Sequence, residues 1–203
     1  MKLSVNHVLF WMDAIRNSND RYSTLESFWK GQIKSKIWLI ENVKKYISNN
    51  STIVIHGGWN GVLASLLFQS EIDIEKIISI DIDPDCEETA RTMNKIEEIS
   101  EKFEAITCNI IDYQYKFPPT LVINTICEHI TQETYDIWLD KVPNNSLIAL
   151  QSNNFYKLSE HQRCAKDLEE FIDQSNIKIL VSKTLYLDKY DRFLLIGYKH
   201  ENN

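Results

Sequence analysis

The sequence predicts a doubly wound α/β fold: a mostly parallel seven-stranded sheet that ends in an antiparallel hairpin and carries helices on both faces. Three observations lead there. Short apolar runs alternate with helical patterns along most of the chain, the order of a parallel sheet crossed by helices. One run, Thr52-Ile53-Val54-Ile55, leads into His56-Gly57-Gly58-Trp59-Asn60-Gly61, a glycine turn at the mouth of a helix. The last two runs, Lys178 to Leu187 and Arg192 to Tyr198, are parted only by Asp188-Lys189-Tyr190-Asp191, a hairpin-length connection.

Taken in order, residues 24 to 48 carry a helical stripe of Leu25, Phe28, Trp29, Ile33, Ile37, Ile40, Val43 and Ile47, with a break expected near Gly31 and an end at Asn49-Asn50-Ser51. Thr52 to Ile55 is the first strand and Val62 to Gln69 the helix behind the turn. Lys76 to Asp81 is the second strand. Asp83 then caps a helix whose first turn holds Pro84 and the dipole-matched acids Asp85, Glu87 and Glu88. Phe103 to Cys108, Thr120 to Asn124 and Ser146 to Gln151 supply three more strands. Residues 1 to 35, with Phe10, Trp11, Tyr22, Phe28 and Trp29, are assigned to an N-terminal helical cap, and 36 to 203 to the α/β domain. The alternative for the first segment is a self-association surface, which would make the protein a homo-oligomer.

Composition narrows the partners. A chain of 203 residues can bury one substantial core without disulfides or metal. Cys86, Cys108, Cys127 and Cys164 are far apart, and no signal peptide or membrane-length apolar run is seen, so reduced thiols in a soluble, cytoplasmic protein with no membrane partner are expected. A formal charge of −7 opposes nonspecific binding to phosphates and argues against nucleic acid as the partner.

Three of the chain's five glycines fall within residues 57 to 61. A strand, a glycine turn and a helix in succession present backbone N–H groups to a ligand, and Asp81, at the end of the next strand, stands where doubly wound folds place a ribose-binding carboxylate. The plainer reading is that the glycines let a helix pack closely and Asp81 caps a loop. I-V-I-H-G-G-W-N-G-V-L-A and I-S-I-D-I-D-P resemble the first two motifs of the class I S-adenosylmethionine-dependent methyltransferases, which have a Rossmann-like fold, and the resemblance covers about residues 35 to 199. It implies S-adenosylmethionine as cofactor, with Gly57, Gly58, Trp59 and Gly61 along its methionine portion, Asp81 on the ribose, Ile82 and Ile110 walling the adenine and Asn109 accepting from the adenine amine. The terminal hairpin belongs to the same family pattern. The sequence departs from that pattern at Trp59, which replaces the middle glycine, and at Ile55, which replaces an acid. Trp59 either reaches over the cofactor or packs in the core, and His56 reads as a packing residue.

After the fourth strand, Asn124-Thr125-Ile126-Cys127-Glu128-His129 occupies the place where family members keep catalytic groups, and it lacks the N/D-P-P-Y/F tetrad of nucleic-acid amino methylases. Asn124 is assigned to the cofactor and Glu128 and His129 to catalysis, taking a proton from the substrate nucleophile. Gln151, Asn153 and Asn154 are assigned to a small polar methyl acceptor. Cys127, His129, His161 and Cys164 have metal-ligating chemistry without a recognised finger spacing, so no metal is assigned. Methyl transfer to oxygen or nitrogen is the expected reaction. The alternatives are another use of the cofactor, namely aminocarboxypropyl transfer, cyclisation or cleavage, or a protein that binds it without chemistry.

Overall fold

The computed structural model describes residues 4–47 and 50–200. The expected helix end at residues 48 and 49 lies outside this range, as do residues 1 to 3 of the expected cap and 201 to 203 of the expected α/β domain. The elements run α1 (Val5–Asn17), α2 (Arg21–Glu26), α3 (Lys30–Val43), β1 (Ser51–His56), α4 (Val62–Phe68), β2 (Ile74–Asp81), α5 (Pro84–Met93), α6 (Lys95–Ile99), β3 (Phe103–Thr107), β4 (Leu121–Asn124), α7 (Gln132–Lys141), β5 (Leu147–Asn153), α8 (Leu168–Ser175), β6 (Ile177–Tyr186) and β7 (Asp191–Lys199). They form one seven-stranded sheet of order β3-β2-β1-β4-β5-β7-β6. The pairs from β3 to β5 are parallel; β7 runs antiparallel to both β5 and β6. The fold class read from the sequence is the fold observed.

Alternation along the strands divides the core in two. Ile53, Ile55, Leu121, Ile123, Leu147, Ala149, Leu194 and Ile196 pack with Leu39, Ile40 and Val43 of α3 and with most of α4. Their strand neighbours Val122, Ile148, Leu150, Phe193 and Leu195 pack the other way, against Tyr135, Trp138 and Leu139 of α7 and Phe171 of α8. Burial of each such large apolar side chain is worth roughly 1.5–3 kcal/mol, so the sheet is clamped from both sides. The same parity puts Gln151 and Arg192 on the α3 side of their strands.

The single helical stripe over residues 24 to 48 is two helices. Asp20 accepts from the Ser23 N–H and starts α2, and Trp29, with φ −56° and ψ 146°, breaks the path before α3. Gly31 makes that break compact, because a Cβ there would lie 2.7 Å from Cζ3 of the Trp29 ring. Three helices are named by no sequence expectation, α6, α7 and α8, and the last two are capped by Thr131 and Asp167, whose side chains accept from Thr134 N and Glu170 N.

His56 closes β1 on the α7 side. It is fully buried among the rings of Tyr113, Tyr115 and Trp138, and its Nε2 lies 2.8 Å from the Tyr115 hydroxyl. It is therefore a packing residue, as the sequence suggests. Burial pushes its pKa from 6.5 down to about 3. The unfolded chain protonates this imidazole first as pH falls, so His56 subtracts stability progressively between pH 6.5 and about 3 and contributes no pH dependence above that window. Chemical denaturation from pH 7 to pH 3 should show this loss in the wild-type chain and a correspondingly shallower acid slope in His56→Phe.

Candidate functional site

β1 has β2 on one side and β4 on the other, and the chain winds outward from it in both directions, so the carboxyl ends of β1 and β4 flank the crevice where open α/β sheets take ligands. The glycine turn crosses that crevice. Gly57 and Gly58 donate their N–H groups to the Ile80 carbonyl at 2.9 and 3.0 Å, and the Gly61 N–H goes to Gly58 O. Gly57 has φ +73°, and a Cβ on it would overlap Cγ2 of Ile126, so this position requires glycine twice over. The turn is thus stitched to β2 and pressed against the loop after β4. The N–H groups of Gly57, Gly58 and Gly61 are spent inside the protein, so the turn offers a close-packed surface rather than an anion nest.

Asp81 ends β2 beside the turn. Its Oδ2 accepts from Trp59 N at 2.8 Å and its Oδ1 from Asp83 N at 3.2 Å. Burial raises its pKa while these N–H bonds oppose the shift. The Trp59 backbone, at φ +48°, sits in the left-handed region that a bulky residue enters at a cost of about 1–2 kcal/mol, and the bond to Asp81 helps hold it there. The indole leaves the sheet: Nε1 donates to Ser23 Oγ of α2 at 3.2 Å, and Lys36 of α3 lies 5.9 Å from the ring centre. Trp59 is a half-buried tie between the turn and the first helices, and Ile55, one residue before β1 ends, is 1 % exposed in the core.

Around the other predicted cofactor positions, Ile82 is exposed on the loop after β2, whereas Ile110 is buried. Asn109 Oδ1 accepts from Ile111 N at 3.2 Å. Asn124 Oδ1 accepts from Ile126 N at 3.0 Å, while its Nδ2 is buried without a partner.

The second half of the rim is built on Glu128, which is 2 % exposed. Its Oε1 accepts from Arg192 Nη1 at 2.7 Å and from Asn153 Nδ2, and its Oε2 is buried without a partner among the described residues. Its backbone carbonyl takes the N–H groups of Gln162 and Arg163 at 2.8 and 3.0 Å, which folds the loop after β5 over it. That loop brings His161 to His129, with ring centres 4.6 Å apart and planes at 88°. Burial, opposed by Glu128, lowers the pKa of His129, which is neutral at pH 7. The four-residue cysteine–histidine set assembles only in part: the Cys164 thiol lies 3.4 Å from His161 Nδ1 and also faces Asn153 Oδ1 and Phe155 O, whereas the Cys127 thiol faces Asn124 O, and burial holds the two thiol pKa values up at about 11 and about 12.

No family model and no curated protein matches the sequence. Solved structures do. The N-methyltransferase NodS from Bradyrhizobium japonicum WM9, in complex with S-adenosyl-L-homocysteine, superposes with a TM-score of 0.70 over 95 % of this chain and 99 % of its own, at 10 % identity. The chain has the class I methyltransferase fold. Geranyl diphosphate methyltransferase in complex with GPP and sinefungin gives a TM-score of 0.65 over 83 % of this chain and 78 % of its own, at 8 % identity. MtNAS in complex with MTA and tNA gives 0.62 over 96 % and 70 %, at 15 % identity.

Of the polar residues assigned to an acceptor, Asn153 and Asn154 already spend their amides on the protein: Asn153 on Glu128 and Phe155 N, Asn154 on Asp191 at 3.2 Å and on the Asp191 N–H at 2.7 Å. Gln151 bonds Ser35 of α3, donating to its carbonyl at 3.3 Å. Two cations that no sequence signal singles out, Lys36 and Arg192, join this set. The first is reached only by the packing of α3, the second only by the return of the hairpin.

Lys36 donates to Gln32 Oε1 at 2.8 Å. Burial, aided by Arg192, pushes its pKa from 10.5 down to about 7. The unfolded chain therefore binds the extra proton between pH 7 and 10.5, and the cost of burying the ammonium is full below about pH 7 and vanishes above 10.5. Lys36→Met should be more stable than the wild type at pH 7 by denaturant melting, with the gain shrinking as pH rises towards 10.5.

Proposed function

We propose that the protein is an enzyme that binds S-adenosylmethionine and transfers its methyl group to oxygen or nitrogen of a small polar molecule, with residues 1 to 35 as the cap over the site. The observation that supports this best is the glycine turn, stitched to β2 beside Asp81, at the point where the sheet order reverses. The residues present fit the cofactor. Asp81 has two N–H bonds and further acceptor capacity for ribose hydroxyls, and Asn124 holds a buried donor in reserve beside the turn. Gly57, Gly58, Trp59 and Gly61 would line the methionine portion, and Ile82, Asn109 and Ile110 the adenine.

When bound, the sulfonium supplies an electrophilic methyl that mainly requires an in-line approach. The chain's own contribution is position and proton handling. Glu128 and His129 meet the acceptor nucleophile, Glu128 with its free Oε2 and His129 as a neutral imidazole. Gln151, Asn153 and Asn154 shape the floor on which the acceptor rests, held by their bonds to α3, Glu128 and the hairpin.

A second reading keeps the cofactor and changes the bond that breaks. It is favoured by Ile55, buried in the core where the family pattern has an acid, and by the likeness to MtNAS, whose complex holds MTA. Attack on the aminocarboxypropyl chain would leave 5′-methylthioadenosine, whereas attack on the methyl leaves S-adenosylhomocysteine.

Calorimetry with S-adenosylhomocysteine should give binding to the wild-type chain that weakens roughly 10- to 100-fold in Asp81→Ala, the size of a lost charged hydrogen bond. Absence of heat with both S-adenosylmethionine and its demethylated product would sink the proposal. Mass spectrometry of the nucleoside formed with a metabolite extract then separates the two readings.

A further inference from the structure

We infer that Glu128, His129 and His161 form a binding site for a divalent first-row transition-metal ion on the acceptor side of the rim. One ligand atom from each of the three lies within 4.8 Å of the others. Metal–nitrogen and metal–oxygen bonds of about 2.0–2.2 Å ask for ligand atoms roughly 3–3.5 Å apart, so closure needs about an ångström of convergence. Both imidazoles sit on loops with partial exposure and can supply it by side-chain rotation.

Two independent features aim this cluster at a cation. The first is Glu128 Oε2. The carboxylate is buried, its other oxygen is engaged by Arg192 and Asn153, and Oε2 has no hydrogen-bond partner among the described residues. An unpaired buried carboxylate oxygen is destabilising, and a bound cation would offset that cost. Arg192 and Asn153 meanwhile fix the orientation of the carboxylate, as outer-shell partners of metal ligands do.

The second is the tautomer of His161. Its Nδ1 lies 2.6 Å from the Phe155 carbonyl, which can only accept, so Nδ1 carries the proton and the lone pair stands on Nε2. A ring N–H bound to a backbone carbonyl, with the other nitrogen free, is the arrangement of a metal-ligating histidine. The cysteines lie outside this cluster: the Cys127 thiol faces Asn124 O, and the Cys164 thiol lies beside Asn153 Oδ1, Phe155 O and the Nδ1 side of His161, 3.4 Å from that nitrogen.

Two imidazole nitrogens and one carboxylate oxygen suit zinc, cobalt, manganese or iron rather than magnesium or calcium, which prefer all-oxygen shells. Three protein ligands leave positions open, as in catalytic sites. If the methyl-transfer reading holds, the ion deepens it: Glu128 and His129 act through the metal, and the acceptor is a molecule whose hydroxyl or amine can coordinate there. The site itself does not depend on that reading.

The test uses the full chain, stripped with a chelator and titrated with Zn2+ by calorimetry and with Co2+ by visible absorption. The expected result is about one ion per chain and a cobalt spectrum from nitrogen–oxygen ligation. His161→Gln and His129→Gln, with far-UV circular dichroism unchanged, should each weaken binding by more than roughly tenfold. Failure of either ion to bind overturns the inference. So does wild-type affinity in both variants, which would place the ion on surface carboxylates. S-adenosylhomocysteine is titrated on the same sample: its failure with metal binding intact counts against the cofactor reading alone, and the reverse counts against the metal alone.

Discussion

Glu128 is the residue to which the β4–β5–β7 side of the crevice is tied. Its carboxylate holds Arg192 at the start of β7 and Asn153 at the end of β5, and its carbonyl holds the loop that carries His161. Four separate stretches of chain therefore meet on one residue. Removing the carboxylate alone would leave the Arg192 guanidinium, 5 % exposed, as an uncompensated buried charge, a change that typically costs 3–5 kcal/mol. A pair this buried is weak evidence for stability when compared with an apolar replacement. Its retention makes sense as a way to fix where Oε2 points.

On the other side of the crevice the same logic runs through backbone. Gly57 and Gly58 hang on Ile80, Trp59 hangs on Asp81, and the indole then ties to Ser23 of α2. Trp11 of α1 adds a bond from its indole to Ser65 Oγ of α4, 2.8 Å long. The first helices are therefore bonded both to the turn and to the helix that follows it. A glycine at position 59 would have kept the turn and lost this connection.

The alternation of strands with helices and the closing hairpin were legible because alternation, glycine and turn residues are local signals, and the two faces of the sheet follow from parity alone. The glycine turn with Asp81 was legible for the same reason, since both sit at strand ends close in sequence. The break between α2 and α3 was visible only as a glycine; its cause, the extended backbone of Trp29, is a packing outcome. α7 and α8 were missed although Thr131 and Asp167 cap them, because Glu133, Asp136, Glu169 and Asp173 dilute the apolar stripe to Tyr135, Trp138, Leu139, Phe171 and little else. Arg192 could not be read at all: it looks like one more polar residue opening a strand, and its role arises only when the hairpin returns it to within 2.7 Å of a residue 64 positions away.

The division of labour across the crevice follows from how the sheet is wound. β1 and β2 end in short connections, residues 57–61 and 82–83, that lead straight into α4 and α5, so their tips present backbone and the Asp81 carboxylate. β3, β4 and β5 end in longer excursions, residues 108–120, 125–131 and 154–167, before β4, α7 and α8 begin. Longer loops have the reach to bring histidines from separate segments together, and β7, antiparallel here, delivers a side chain at its start rather than its end. A buried carboxylate, two imidazoles and a guanidinium gather in this way on the β4–β5–β7 side of the crevice.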